Sequence, residues 1–462
     1  MANHDIQNQP GETPLTLSLR NLLRLEENVE TDLHAYETTA CLLITEGADH
    51  VLTDLFGNTL LIKAARNGLK RLVSLLLEKG TEVNVVNDCG HTALSGAAEK
   101  GHAAIVGLLL TNGANPHIPA FSGNTALIYA ARNGFEEIVR LLLEKGVEVD
   151  FANNYGDTAL IYATLGGHEN IVMLLLTNKA DPNFISISGG TSLLAAIFKG
   201  NKEMASLLLM NKECKANPDL TKMGDDTPLM QAIANDHFQI VYLLLEAGAT
   251  LEIANREGHT ALSFAALYGH PSVLRRLLSA GANPNILTLD GKSPLIIATA
   301  KAYDLIVDIL LKGGANPNIT TATGETASMI AAELNYLNTL HALVRGSPNL
   351  DLRDCSGSTA LSRSAKHGHE HIVCLLLMHE ANPNISDNSG KTPLFWAALK
   401  GYKEIVNMLL INRANPDIVD NEGNTALEIA TKHGHDYIVQ VLLDHVGNNS
   451  LIFTDRFHCP LS

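Results

Sequence analysis

Apolar residues recur along most of this chain in a two-part pattern with a period of 33 residues. In the unit at 124–156, the first part places Leu127 and Ala130 at helical spacing, and the second part does the same with Ile138 and Leu142. This pattern predicts two short amphipathic helices, with glycine and polar residues between and after them. A single helix pair cannot bury its own apolar stripe. The pattern therefore predicts a stack of helix pairs that share one continuous core.

The threonine or serine that opens each unit shows the period most clearly. It occurs twelve times, and the spacing is 33 residues except for 36 residues between Thr191 and Thr227. The three extra residues fall near 211–216, in a turn, where an insertion leaves the adjacent helices in register. The twelve positions are Thr59, Thr92, Thr125, Thr158, Thr191, Thr227, Thr260, Ser293, Thr326, Thr359, Thr392 and Thr425.

Short motifs within the units resemble the ankyrin repeat family. Thr227-Pro228-Leu229 and Thr392-Pro393-Leu394 are similar to the family's opening, and Gly101-His102 and Gly269-His270 are similar to its Gly-His turn. The resemblance covers residues 57 to about 446. It implies a mainly α fold, an ankyrin-repeat solenoid of about 12–13 helix-turn-helix repeats connected by β-hairpin-like tips. In such proteins the tips and first helices line a concave face, to which partner proteins bind.

The chain departs from the family at one position of the repeat. The histidine that follows Thr-Pro-Leu in the family is absent, and its place is taken by residues such as Ile128, Met230 and Phe395. The hydrogen bond that this histidine usually makes must be missing or remade. We expect apolar packing to substitute for it at the Ile, Met and Phe positions.

The pattern divides the chain into four parts. Residues 1–12 are polar and expected to be disordered, and 13–56 form a divergent N-terminal capping repeat with an insertion. The inserted segment is either an elongated cap, which the exposed end of a repeat array needs, or a dedicated binding segment. The twelve-repeat array spans 57–446, and a C-terminal tail covers 447–462.

Charge restricts the class of partner. The formal net charge is −16 at pH 7, whereas nucleic-acid binding needs Lys and Arg to neutralise phosphates. An acidic array favours basic or neutral protein partners. We therefore expect one or more protein partners, no nucleic acid, and a monomeric chain.

Cysteine usage and the N-terminus favour a cytoplasmic location. The six cysteines form no Cys-x-x-Cys pair, which is typical of reduced thiols, and the N-terminus lacks the apolar core of a signal peptide. His367, His369 and His371 lie close together, but no cysteine or carboxylate completes a metal-site spacing. No segment outside the array is long enough for a catalytic domain. We expect no metal, no cofactor and no enzyme activity.

The last four residues, Cys459-Pro460-Leu461-Ser462, have the form of a prenylation box. Pro460 is unusual there, no polybasic stretch precedes it, and a single lipid gives only marginal anchoring. Lipidation at Cys459, with a peripheral membrane location, and a plain tail both stay open. The regular units also resemble host-directed ankyrin effectors of intracellular bacteria, which would place the chain in a host cytosol. An animal or protist cytosolic protein is the alternative.

Three functions are consistent with this sequence. The first is a protein-interaction scaffold or adaptor that binds its partner on the concave face. The alternatives are a membrane-tethered adaptor or effector and a substrate-receptor subunit of another enzyme. Tyr129 and Tyr162, on first helices, are interpreted as half-buried packing residues, whereas aromatic tips would act as binding anchors. The candidate partner-binding residues are Asp88, His91, Phe121, Asn124, Arg132, Asn133, Tyr155, Asp157, Arg256, His259, Lys292, Glu325, Lys391 and Glu422.

Overall fold

The structure, a computed structural model, describes residues 33–51, 53–221 and 225–447. These residues contain 25 helices, here numbered α1 to α25. From α2 onward, the first helix of each repeat has an even number and the second an odd number. The bounds are Leu33–Thr45 (α1), Leu60–Arg66, Lys70–Glu78, Ala93–Lys100, Ala103–Thr111 (α5), Ala126–Asn133, Glu136–Glu144, Ala159–Gly166, Glu169–Thr177, Ser192–Phe198 (α10), Lys202–Met210, Pro228–Ala234, Phe238–Glu246, Ala261–Tyr268, Pro271–Ser279 (α15), Pro294–Ala300, Asp304–Lys312, Ala327–Glu333, Leu337–Val344, Ala360–His367 (α20), Glu370–Met378, Pro393–Lys400, Lys403–Ile411, Ala426–Lys432 and Asp436–Gly447 (α25).

The opening threonine and the mid-repeat glycine bound the first helix of a repeat. In α6, the Thr125 hydroxyl accepts a hydrogen bond from the backbone N–H of Ile128 at 3.4 Å. This satisfies one of the N–H groups that a helix start leaves without a partner. At the other end, Gly134 adopts a left-handed conformation with φ of 81°. Glycine takes this conformation readily because it has no Cβ, so the predicted turn is confirmed.

Both helices of a repeat bury the apolar side chains that the periodicity selects. Leu127 and Ala130 in α6, and Ile138 and Leu142 in α7, are each 3% exposed or less. Removing this much apolar surface from water is the main driving force for the stack. The predicted shared core of helix pairs is confirmed.

Two arrangements replace the absent histidine. Ile128, Met230 and Phe395 are each 2% exposed or less, so the expected apolar packing is confirmed. Where the residue is serine, a hydrogen bond takes over instead. The Ser95 hydroxyl accepts from the backbone N–H of Thr92 at 2.9 Å and completes a capping box.

Histidines of the Gly-His turn link a repeat to the one before it. Nε2 of His102 lies 3.0 Å from the carbonyl oxygen of Arg66, and Nε2 of His369 lies 3.0 Å from the carbonyl oxygen of Glu333. The turn glycine leaves room for the ring, since a Cβ on Gly68 would lie 2.7 Å from His102. These histidines therefore belong to the scaffold.

The repeats fall into two compact units. Described residues up to 221, with 239–249, form the first unit, and 225–238 with 250–447 form the second. In the first unit, α1 packs against α3. The extra residues of the 36-residue spacing form a loop after α11, in which Asn211 Oδ1 accepts hydrogen bonds from the backbone N–H groups of Glu213 and Cys214.

Candidate functional site

Most tips between repeats are tight turns held by the side chain that lies five residues before the opening threonine. In the first unit, Asn153 Oδ1 accepts hydrogen bonds from the backbone N–H groups of Tyr155 at 2.9 Å and Asp157 at 3.0 Å. Asp54, Asn87, Asp354, Asp387 and Asp420 make the same pair of bonds in their own tips. A short polar side chain can close a turn in this way, so the tip conformation is set locally.

Neighbouring tips are joined through their backbones. The carbonyl of Phe56 accepts from the N–H of Asp88 at 3.0 Å, and the carbonyl of Tyr155 accepts from the N–H of Ile187 at 3.0 Å. Within the described ranges, β pairing outside these contacts amounts to two isolated bridges. The tips are therefore hairpin-like turns that follow one another along one edge of a unit.

The first unit exposes a row of large apolar side chains on this edge, here called the apolar tip row. It consists of Leu55, Phe56, Phe121, Tyr155 and Ile187, which are 66–81% exposed. Side chains of this kind are normally buried, and an exposed apolar patch on a soluble fold marks an interaction site. The sequence pattern singled out Phe121 and Tyr155 as candidate contacts but not Leu55 and Ile187.

The predicted contact residues near this row have different environments. Asp88 is exposed between the apolar tips, whereas His91 is half-buried and stacks on Tyr129 with the ring centroids 5.3 Å apart. Tyr129 is 7% exposed, which confirms it as a packing residue. Asn124 is also 7% exposed, and its Oδ1 accepts a hydrogen bond from Nδ2 of Asn153 at 2.8 Å. This burial corrects the assignment of Asn124 as a surface contact.

Three more predicted residues make contacts within the first unit. The Arg132 guanidinium carbon lies 5.5 Å from the ring centroid of Tyr162, and Asn133 donates to the carbonyl of Glu99 at 2.9 Å. Burial raises the pKa of Asp157, while its hydrogen bond with Tyr162 acts in the opposite direction. Arg132 and Asn133 remain exposed on the first helix.

In the second unit, two of the predicted charged residues form ion pairs on the surface. Arg256 Nη2 lies 3.2 Å from Asp225 Oδ1, and Lys292 Nζ lies 2.7 Å from Asp290 Oδ2. Glu422 is exposed at the last described tip. Exposed ion pairs of this kind contribute little to stability.

Glu325 belongs to a larger charged network centred on Arg363, which the sequence did not single out. Arg363 Nη1 lies 2.8 Å from Glu325 Oε1 and also contacts Glu333, while Nη2 lies 2.5 Å from Asp354 Oδ2. The Asp354 side chain is only 2% exposed. Burial opposes its ionisation, but hydrogen bonds from Ser356 and Arg363 outweigh burial and lower the pKa of Asp354.

Lys391 is held against the only tryptophan of the chain. Its Nζ lies 5.2 Å from the ring centroid of Trp396, and Lys366 Nζ lies 4.6 Å from the same centroid. The indole Nε1 donates to Asp387 Oδ2 at 3.0 Å. These cation–π contacts and the hydrogen bond fix the indole beside Lys391.

A cleft of about 480 Å³ lies in the second unit, between the tips at 225–226 and 255–259 and the first helices α12 and α14. It brings together two of the predicted residues, Arg256 and His259. Phe264, which is 6% exposed, and Tyr268, which is 46% exposed, form its aromatic side. The His259 ring is positioned by Ser263, whose Oγ lies 3.1 Å from Nδ1.

Sequence reasoning missed a pair of positions that meet across several of the turns. The residue five before the opening threonine contacts the residue four after it, as Asn153 contacts Tyr162 and Asp354 contacts Arg363. Aligning the units would show the first position as mostly Asn, Asp, Ser or Thr. The second position varies from Lys63 to tyrosine and arginine, so only the fold reveals the pairing.

The described part of the chain contains no group of three or more His, Cys, Asp and Glu side chains placed to hold a metal ion. No helix within these ranges has the length and apolar character needed to cross a membrane. The predicted disordered segment 1–12, most of the predicted cap, and the tail with Cys459 lie outside the described residues.

The match to a family model agrees with the helix-pair architecture. A family model described as "Ankyrin repeats (3 copies)" matches overlapping segments that together span residues 32–452. No curated protein matches the sequence. Among solved structures, the chain is similar to the crystal structure of the ankyrin repeat domain of Bcl-3, titled a unique member of the IkappaB protein family. That similarity has 26% identity and a TM-score of 0.44, and it covers 47% of this chain and 98% of the other.

Proposed function

Because this chain belongs to the ankyrin repeat family, whose repeats generally serve as protein-interaction modules, we propose that it binds a partner protein through the apolar tip row. The observation that carries the proposal is the exposure of five large apolar side chains on consecutive or next-but-one tips of the first unit. The chain would act as a scaffold or adaptor whose partner covers this row.

Aromatic residues in the row supply the anchors that such an interface needs. Phe121 is 69% exposed and Tyr155 is 66% exposed, and both lie on turns fixed by hydrogen bonds within the fold. Large rings on a rigid backbone lose little conformational freedom on binding. Interfaces concentrate their binding energy in a few such residues.

The partner expected from this surface is a protein with an apolar face. Asp88 adds a carboxylate to the same edge, and the chain as a whole carries a formal charge of −16. A basic rim around the partner's apolar face would therefore increase the rate of association. A cytoplasmic location, a monomeric chain, membrane tethering through Cys459, and a substrate-receptor role stay predictions.

Capture from a cytosolic extract, followed by affinity measurement, tests the apolar tip row. The chain carrying Phe121→Ser and Tyr155→Ser is compared with the unaltered chain as bait. A protein captured only by the unaltered chain is purified, and its dissociation constant is measured by calorimetry. Removing two central anchors should weaken binding at least about 30-fold.

Leu289→Ser provides the matched control. Leu289 lies at the same tip position as Phe121 and is 80% exposed, but it belongs to the second unit. This variant should bind the partner as the unaltered chain does, and all variants should keep the same far-UV spectrum. Equal binding by the double variant would show that the row is not the interface.

A further inference from the structure

The cleft in the second unit has a lining suited to a cationic side chain. It contains the carboxylates of Asp225, Asp226 and Glu257, with Arg256 as the one guanidinium, so its net charge is −2 when His259 is neutral. We propose that this cleft binds an arginine side chain presented by an extended peptide segment of a protein partner. The site is independent of the apolar tip row, which belongs to the first unit.

Internal pairing neutralises only part of this negative charge. Arg256 Nη2 lies 3.2 Å from Asp225 Oδ1, whereas Glu257 is 79% exposed and lies 3.8 Å from Nε2 of His259. Asp226 Oδ1 accepts a hydrogen bond from Asn255 Nδ2 at 2.6 Å, which orients that carboxylate. Glu257 is therefore the carboxylate best placed to pair with an incoming cation.

Aromatic rings form the second part of the site. Phe264 and Tyr268 are tilted against each other with centroids 5.6 Å apart, and Tyr268 also stacks on His270 at 6.3 Å. Tyr268 lines the cleft and is 46% exposed, so part of its ring remains accessible. A guanidinium stacks favourably on such a ring.

Arginine fits this combination better than lysine. Its guanidinium is planar and carries five N–H donors, so one group can stack on Tyr268 while donating to Glu257. The volume of about 480 Å³ lies within the usual range for pockets that hold small ligands. The side-chain amide of Gln231 lines the same cleft and adds a further acceptor.

Peptide binding to the full chain tests the site without the unidentified partner. The probe is a capped Gly-Gly-Arg-Gly-Gly peptide with a neutral fluorophore, and its dissociation constant is measured by anisotropy. The reference probe replaces arginine with citrulline, which has nearly the same shape but no charge. The arginine peptide should bind at least about tenfold more tightly than the citrulline peptide.

Two variants locate the binding, and one serves as a control. Tyr268→Ala and Glu257→Gln should each weaken the arginine peptide by about threefold to tenfold. Glu422→Gln should leave binding unchanged, because Glu422 has the same position in its tip as Glu257 but lies in the last repeat. Tyr268 and Glu257 are substantially exposed, so these variants should fold normally.

Three outcomes would overturn the proposal. They are absence of arginine-peptide binding in the low millimolar range, equal affinity for the two peptides, and unchanged affinity in both cleft variants. Loss of partner binding in the apolar tip row variants would not alter any of them, so the two sites are tested separately.

Discussion

Two repeats, one in each unit, build the same turn from different chemistry. In the first unit, Asn153 holds the tip and its Nδ2 lies 3.3 Å from the Tyr162 hydroxyl. In the second unit, Asp354 and Arg363 occupy the same two positions and form an ion pair at 2.5 Å. Asn153 and Asp354 accept the same two backbone hydrogen bonds, so the turn itself does not need a charge.

The tips of the two units also differ in the side chains that they expose. The first unit leaves the apolar tip row open, whereas the tips of the second unit are mostly polar, and Leu289 is the exception at 80% exposed. Arg256, Lys292 and Arg363 of the second unit are each paired with an acidic side chain. One repeat backbone thus carries an apolar row of tips in one unit and mostly polar tips in the other, which is why the fold alone does not name a function.

Breaking the ion pair should produce the largest stability change. Arg363→Met leaves Asp354 buried without its cation and leaves Glu325 and Glu333 unpaired as well. We expect the free energy of unfolding of the second unit to fall by about 3 kcal/mol. Urea unfolding followed by the fluorescence of Trp396, the only tryptophan, reports on this unit.

A double variant tests whether the charge is replaceable. Asp354→Asn together with Arg363→Met recreates the uncharged turn of Asn153, and about half of the lost stability should return. In the first unit, Tyr162→Phe removes the hydrogen bonds to Asn153 and Asp157 but breaks no ion pair, so it should cost about 1–2 kcal/mol, less than Arg363→Met. An unchanged unfolding midpoint in Arg363→Met would mean that the network does not stabilise the unit.

The ion pair between Asp354 and Arg363 makes the stability of the second unit depend on pH. The pKa of Asp354 is lower in the folded chain than in the unfolded chain, so its ionised form stabilises the fold at neutral pH. This contribution is lost as the pH falls below about 4, through the lowered pKa. In Arg363→Met, burial acts without the guanidinium and moves the pKa of Asp354 upward, so the loss of stability on acidification should be smaller than in the unaltered chain. Trp396 fluorescence in urea at several acidic pH values measures the difference.

The left-handed turn after the first helix gives a second contrast. All five repeats of the first unit have glycine at this turn. At Gly101, φ is 86°, and a Cβ at this position would lie 2.5 Å from the Phe135 ring. Gly101→Ala should cost about 2 kcal/mol from backbone strain and this clash. Gly96→Ala is the control, because Gly96 lies inside α4 with ordinary space, and it should gain up to about 1 kcal/mol. Urea midpoints by circular dichroism compare the two.

Much of the scaffold follows from the sequence because it depends on local and periodic signals. A single repeat shows its opening threonine, its turn glycine and apolar residues such as Leu127 and Ile138. The eleven other repeats can be compared with it. The surface could be predicted only in part, because a tip residue such as Asn124 looks polar and exposed until its contact with Asn153 is known. Contacts between repeats, such as the Arg363 network, depend on which side chains the stack brings together.

Three repeats of the second unit have no glycine at the left-handed turn. A substitution at this turn gives the smallest change in the free energy of unfolding that we predict. Asp236, Ala302 and Asn335 adopt φ of 55° to 60° there. Asn and Asp tolerate this conformation better than alanine, so Ala302 carries the most strain of the three. Ala302→Gly should raise the free energy of unfolding by about 0.5–1 kcal/mol, because relief of strain exceeds the added flexibility of the unfolded chain. Ala300→Gly, two residues earlier at the end of α16, should lower it by a similar amount. A loss of stability in Ala302→Gly would show that the left-handed turn at this repeat is not strained.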